Sequence, residues 1–403
     1  MTIEDFQALW DTLTPIGRSA TTGGYVRFSW SAADRELREW FAKQATARDL
    51  AVETDRNGNM WAWWGSPDSG DAVVTGSHVD SVPHGGAYDG PLGIVSAFLA
   101  VDVLRARGAR PVRPIGVVGF TEEEGARFGV ACLGSRLLVG AIAPERASRL
   151  RDADGVTLAE AMTAAGADPS GLGPDPERLA RIGAFVELHI EQGRALADQN
   201  AAVGVASAVW PHGRWRFDFE GEGNHAGTTP MGDRRDPMLT CAYTVLAANE
   251  DARRLDVHAT IGQVRVEPNA TNAIPSRVSG WLDARAPDQG RLSTFVEALE
   301  NRVRDRARRD GTTVQVTLES VSPLVEFDHR LRDRIVATLG QAPVLPTQAG
   351  HDAAVLASHV PTAMLFVRNP TGVSHAPTEH ATAADCTAGV RALAAVLEEL
   401  ACR

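Results

Sequence analysis

Five residues suited to holding metal ions are spread over four segments of this chain. The segments are Thr75-Gly76-Ser77-His78-Val79-Asp80-Ser81-Val82-Pro83-His84-Gly85-Gly86-Ala87-Tyr88-Asp89-Gly90, Thr121-Glu122-Glu123-Glu124-Gly125, Glu187-Leu188-His189-Ile190-Glu191-Gln192-Gly193 and Gly372-Val373-Ser374-His375. His78, Asp89, Glu124, His189 and His375 form the candidate ligand set. Three imidazoles and two carboxylates suit two borderline divalent cations that share one bridging carboxylate. Such a pair points to hydrolysis, because it polarises a carbonyl and activates water.

Spacing within the segments adds to residue type. Asp80 lies two residues after His78, where a carboxylate can hold the second ring N–H of a ligating imidazole and fix its tautomer. An HxD pair alone is as readily structural, but Gly85, Gly86 and Gly90 allow a tight backbone path that returns Asp89 toward His78. Acidic runs such as Glu122-Glu123-Glu124 are commonly solvated loops. Here separate duties fit better, with one glutamate holding a cation and a neighbour taking a proton from water. A histidine within an apolar strand is commonly a core residue, yet Gln192-Gly193 after His189 suggests a chain turning away at a cleft. His375 sits in a loop of small residues between Gly372 and Pro377, and His225 (in Gly223–Gly227) and Gly350-His351-Asp352 lie in similar loops. Trp61, Trp63 and Trp64 read as a packing cluster. Cys132, Cys241, Cys386 and Cys402 form no CxxC, stand beside no motif, and read as small core or surface residues of a protein from a reducing compartment.

The elements that must position these residues read as an α/β fold. Ala72–Thr75, Ile115–Phe120, Phe185–Ile190 and Ala363–Val367 are short apolar strand patterns. Leu92–Arg107 is a helix with Leu92, Val95, Leu99 and Val103 on one face, stopped at Gly108, and a last helix spans Cys386–Leu400. Strands alternating with helices predict a central sheet, and ligands of such sheets collect beyond the carboxyl ends of strands. The middle of the chain reads as strand Arg214–Phe219, helix Pro237–Arg254, strands Ala259–Val266 and Arg277–Ala284, helix Arg291–Arg309 and strand Thr313–Leu318. That β-α-β-β-α-β order predicts a ferredoxin-like α+β unit over 209–321, inserted into a catalytic α/β domain made of 1–208 and 322–403.

A length of 403 residues exceeds one typical core, in keeping with two domains. A formal net charge of −11 argues against a nucleic-acid partner, since phosphate binding needs a basic face. Met1–Trp10 carries Glu4 and Asp5 and has no basic-then-apolar leader pattern, and no run of about 20 apolar residues offers a membrane span. These features give the expectation of a cytoplasmic protein that does not engage a membrane.

Taken together, the segments GSHxDSVxxGGxxDG, EEEGxRF, LHIEQG, GxxNHAGTTPM, PNATNAIP and GHDA resemble the M20 metallopeptidase superfamily. More narrowly they are similar to its hydantoinase/carbamoylase-type amidases, which include allantoate amidohydrolases, N-carbamoyl-L-amino acid hydrolases and β-ureidopropionases. The resemblance implies two divalent ions per subunit (Zn, Mn, Co or Ni), with His78 and His189 on one, Glu124 and His375 on the other, and Asp89 bridging. It implies Glu123 as general base and Asp80 as the orienter of His78. His225, on a smaller domain that also mediates homodimerisation, would reach the partner's site and polarise the scissile carbonyl or support the oxyanion. Asn272 and Arg285 match substrate-binding positions, Arg285 for a carboxylate, with Gln192, Gly350 and His351 as further contacts. The implied substrate is a small ureido or amide carboxylate, such as allantoate or an N-carbamoyl-L-amino acid. The alternative is an aminoacylase or dipeptidase of the same superfamily. Arg368-Asn369-Pro370-Thr371 before Gly372, and Gln348 before Ala349, depart from the common pattern near the expected pocket.

Overall fold

Residues Ala72–His78 and Ile115–Phe120 are buried along their whole length and lie side by side as parallel strands in the computed structural model, which describes residues 1–402. Parallel strands covered on both faces read as continuous apolar runs, without polar alternation. In chain order the strands are β1 (Ala51–Thr54), β2 (Met60–Trp64), β3 (Ala72–His78), β4 (Ile115–Phe120), β5 (Ile182–Ile190), β6 (Val203–Val209), β7 (His212–Glu220), β8 (Asn224–His225), β9 (His258–Glu267), β10 (Ala273–Ile274), β11 (Arg277–Arg285), β12 (Thr313–Ser322), β13 (Val325–Glu326), β14 (Val344–Thr347) and β15 (Thr362–Val367). The chain divides into two units, Val209–Val325 forming the second and the flanking segments the first.

The first unit is an α/β structure around a mixed sheet of order β1-β2-β4-β3-β5-β15-β6-β13, with β14 on β6. Its central strands β4, β3, β5 and β15 are mutually parallel, so their carboxyl ends lie along one edge. Strand β3 runs three residues past the Thr75 end expected from sequence. Gly76 carries it onward at φ +153, where a Cβ would lie 1.9 Å from the Val118 carbonyl oxygen, so a residue that ordinarily weakens a strand here permits close approach of β4. The helix Pro91–Ala106 is buried almost all round, packed on the sheet and on the helices Ile3–Leu13 and Ala383–Ala401. The tryptophans do pack: Trp61 and Trp63 stack with ring centroids 5.5 Å apart, and their indole N–H groups donate to Asp55 and Glu53.

The second unit runs β7, helix Pro237–Leu255, β9, β11, helix Gln289–Asp310, β12, with the antiparallel sheet order β12-β7-β11-β9. Trp215, Phe217 and Phe219 of β7 pack with Val278 and Leu282 of β11 and with Phe295 and Leu299 of the second helix. Alternate residues turn the other way, and there Arg216, Asp218 and Arg277 form ion pairs. Among the described residues no helix is long and apolar enough to cross a membrane.

Candidate metal centre

The carboxyl edge of β3, β4, β5 and β15 is where the candidate ligands meet. His78 is the last residue of β3 and His189 the penultimate residue of β5, while the Glu123-Glu124 and His375 loops follow β4 and β15. Both strand imidazoles are held in one tautomer. The Nδ1 of His189 lies 2.8 Å from the Ile190 carbonyl and that of His78 lies 3.2 Å from the Asp80 carbonyl. A carbonyl only accepts, so each Nδ1 carries its hydrogen and each Nε2 is free to act as a donor atom toward a cation. The two Nε2 atoms are buried without hydrogen-bond partners, 3.1 Å (His189) and 3.5 Å (His78) from Asp89 Oδ1. The other Asp89 oxygen, Oδ2, is 3.3 Å from His375 Nε2, which in turn is 3.6 Å from Glu124 Oε2. Asp89 therefore presents one oxygen to each of two clusters, His78/Asp89/His189 and Asp89/Glu124/His375, and the ligand atoms of each cluster lie within 4.8 Å of one another.

Backbone shape makes this possible. Gly90 has φ +84, and a Cβ there would sit 2.4 Å from the His78 ring carbon Cε1. Asp80 accepts from the amides of Glu123 (3.2 Å) and Glu124 (3.1 Å), so one carboxylate fixes the acidic loop while its residue's carbonyl orients His78. The three glutamates diverge in what they touch. Glu122, at φ +55, accepts from the amides of Arg127 and Phe128 and shapes the turn. Glu124 faces His375. Glu123 is buried with Oε2 3.7 Å from His78 Nε2, and its Oε1 accepts from the Cys132 thiol at 3.3 Å. Cys132 is a small buried residue, as the sequence suggested, and in addition touches the acidic loop. Nine residues separate it from Glu123, and no spacing rule flags a contact made by a left-handed turn at φ +53.

Residues 74–399 match the pattern of peptidase family M20/M25/M40. The chain belongs to this family. It is 36% identical to the N-carbamoyl-L-amino acid amidohydrolase of Geobacillus stearothermophilus, over 98% of each chain. It is 34% identical to the allantoate amidohydrolase of Escherichia coli K12, over 94% of this chain and 93% of that one. A crystal structure of a hydantoinase/carbamoylase family amidase from Burkholderia multivorans superposes with a TM-score of 0.87 at 30% identity, covering 100% of this chain and 98% of that one. Within M20 the chain is thus a hydrolase of the hydantoinase/carbamoylase amidase type.

The electrostatics of this M20 site fit divalent cations. Burial alone would lower the His78 and His189 rings, but Glu123, Asp80 and Asp89 hold His78 well above the usual histidine range, and Asp89 and Glu187 raise His189. Hydrogen bonding to Asp89, against burial, takes His375 up to about 9. Burial would raise Asp89, yet the three imidazoles hold it well below the carboxylate range. Burial, reinforced by Asp89, lifts Glu124 to about 7. The three imidazoles therefore sit in a field that favours positive charge, two of them with orphaned, correctly tautomerised nitrogens. That is the donor chemistry of a site for two divalent ions.

The remaining candidates fall into three places. Gln192 donates to Asp89 Oδ2 at 2.7 Å, and so touches the ligand set itself. His351 is buried edge-on to His189 with ring centroids 4.6 Å apart, and burial and the His189 charge push its ring well below the usual range; Gly350 next to it has open space where a side chain would be. His225, Asn272 and Arg285 lie in the second unit. The first two are neighbours there, since His225 pairs with Ala273 and the Ala226 amide donates to the Asn272 carbonyl at 2.9 Å. His225 Nδ1 accepts from the amides of Gly227 (3.0 Å) and Thr228 (3.2 Å), which leaves the hydrogen on Nε2. Arg285 ends β11 with its Nε 2.9 Å from Asp283 Oδ1. The unusual Arg368–Thr371 segment is committed to structure. Arg368 pairs with Asp385, and the buried Asn369 accepts from Thr371 and Gly372 to form the turn before His375.

Proposed function

We propose that this M20 hydrolase cleaves the C–N bond of an N-carbamoyl (ureido) group on a small carboxylate, with allantoate and N-carbamoyl-L-amino acids as the leading substrates. The observation that carries the reading is Asp89, whose two oxygens face separate clusters, one of two imidazoles and one of an imidazole and a carboxylate. Divalent ions bound there (Zn, Mn, Co or Ni) would polarise the substrate carbonyl and acidify water. His78, His189 and Asp89 would hold one, and Glu124, His375 and Asp89 the other.

Glu123 is the general base in this reading. Burial, with Asp352, Glu124 and Asp80 adding to it against the opposing effect of His78, holds its carboxyl well above the usual range. A carboxylate at this position could take a proton from water and pass it to the departing nitrogen. His225 offers an Nε2–H for the oxyanion, since both backbone amides sit on its other nitrogen. Arg285, oriented by Asp283, receives the substrate carboxylate, with Asn272 as a further polar contact. Hydrolysis then releases a carbamate, which decomposes to ammonia and carbon dioxide. The names of the Geobacillus and Escherichia relatives support the substrate class.

We assign Val209–Val325 the part of a lid and dimerisation unit in a cytoplasmic homodimer. Its sheet ends in a ten-residue edge strand, β9, and Leu239, Val245 and Leu246 stand exposed on the helix Pro237–Leu255. The deciding experiment is ammonia release from allantoate, N-carbamoyl-alanine, N-carbamoyl-β-alanine and a dipeptide. Ammonia from at least one ureido compound is expected. Turnover of the dipeptide alone, with no ammonia from the other three, would establish the aminoacylase or dipeptidase reading instead.

A further inference from the structure

Glu379 comes four residues after His375 and is buried, at 4% exposure. Its Oε1 accepts from two consecutive backbone amides on the other loop of the site, Tyr88 (2.9 Å) and Asp89 (3.0 Å). Its Oε2 accepts from Ser374 Oγ at 3.3 Å, and the same hydroxyl lies 3.2 Å from Asp89 Oδ2. Room for this carboxylate comes from Gly86, where a Cβ would lie 2.4 Å from Glu379 Oε1. A single buried acid thus joins loops about 290 residues apart in sequence, one carrying Asp89 and the other carrying His375.

We propose that Glu379 is a positioning residue that sets the separation of Asp89 and His375, and so governs affinity for the ion shared by Asp89, Glu124 and His375. This rests on the two-ion reading above. The two clusters are built differently. His78 and His189 sit on buried strands at 1% and 0% side-chain exposure, whereas His375 sits on a loop, 51% exposed, at φ +58. The strand-borne pair makes no hydrogen bond to Ser374 or Glu379 and so does not rely on either for its place. The loop-borne ligand keeps its place through Ser374, Glu379 and the amides that Glu379 holds. The Ser374 link also ends on Asp89 Oδ2, the oxygen that faces His375, while Oδ1 faces the two strand imidazoles.

The test is calorimetric titration of Mn²⁺ into metal-stripped wild type, Glu379→Ala, Glu379→Gln and Ser374→Ala, with circular dichroism and melting temperature recorded for each. Wild type should bind two ions per chain. Glu379→Ala should bind one ion at wild-type affinity and the second about 10–100-fold more weakly, the range for losing a group that orients a ligand. Glu379→Gln, which keeps a carbonyl oxygen for the Tyr88 and Asp89 amides, should recover most of that loss, which a general loss of stability would not do. Should Glu379→Ala fail to fold, Ser374→Ala decides, because it removes the hydroxyl that joins Glu379 Oε2 to Asp89 Oδ2 and leaves Glu379 on its two backbone amides: a weakened second ion supports the proposal and two unchanged ions overturn it. Two ions at unchanged affinity in folded Glu379→Ala, or equal weakening of both, also overturn it. Wild type binding fewer than two ions would defeat the two-ion reading itself, and the proposal with it.

Discussion

Asp80 shows how few groups hold the site together. Its carboxylate accepts from the amides of Glu123 and Glu124, and its carbonyl sets the His78 tautomer, so the proposed base, one proposed ligand and the orientation of another all depend on one residue. Glu123 can be separated from that scaffold. Glu123→Gln keeps the side-chain shape and an acceptor for the Cys132 thiol but cannot take a proton. We expect kcat to fall about 10²–10⁴-fold with ion content, measured by elemental analysis, and melting temperature close to wild type. A near-normal rate would move the base to another residue. At this scale the sequence was legible where function demands residue types in fixed motifs: the five candidates for ligands lie together. It was not legible where a contact depends on tertiary geometry alone. Cys132 reaches Glu123, and Glu379 reaches the Asp89 amide, across separations that no periodicity encodes.

The elements explain why such distant segments converge. Four parallel strands end on one side, and each delivers its residue within a few positions of its carboxyl end, except His375, which follows β15 by a turn built on Asn369. Ile115–Phe120 was legible to the residue because it is buried and uninterrupted, whereas the end of β3 was hidden by Gly76. Gly90→Ala tests the loop geometry. With φ +84 and the His78 ring 2.4 Å from the would-be Cβ, it should cost on the order of 1–3 kcal/mol of stability and displace His78. Chemical denaturation and ion content both read it, and wild-type ion content would refute the steric argument. In the second unit, burial raises the Asp283 carboxyl, but Arg285 and Arg214 more than reverse this, leaving it below the usual carboxylate range. A depressed folded-state pKa gives stabilisation that is complete above the unfolded value of about 3.9 and is lost as pH falls through the folded one. Asp283→Asn should therefore be less stable than wild type at neutral pH, with the gap closing as pH falls below the unfolded value. It should also raise KM for carboxylate substrates, because Arg285 loses its orienting partner. A pH-independent gap would contradict the pairing.

For the whole molecule, ions bound to the folded chain and not to the unfolded one must stabilise it. Chelation should abolish turnover and remove about 3–4 kcal/mol of stability for each ion lost, at ion concentrations of 100–1,000 Kd. Adding back Mn, Co, Ni or Zn should restore both, and full activity in protein shown to be metal-free would end the two-ion reading. Arg285→Ala should raise KM for carboxylate-bearing substrates while sparing a neutral ureido amide, and an equal effect on both would remove its assigned role. The sheet order has a bearing on biosynthesis. Strand β15 lies between β5 and β6, although both precede it in the chain and the entire Val209–Val325 unit comes before it. While the ribosome is still making that unit, β5 has an unsatisfied edge and β6 lacks its neighbour, the kind of exposed strand that chaperones shield in nascent chains. In the two-ion reading, the cluster of Asp89, Glu124 and His375 would be completed last, because His375 leaves the ribosome only after β15, long after His78, Asp89, Glu124 and His189 have been made.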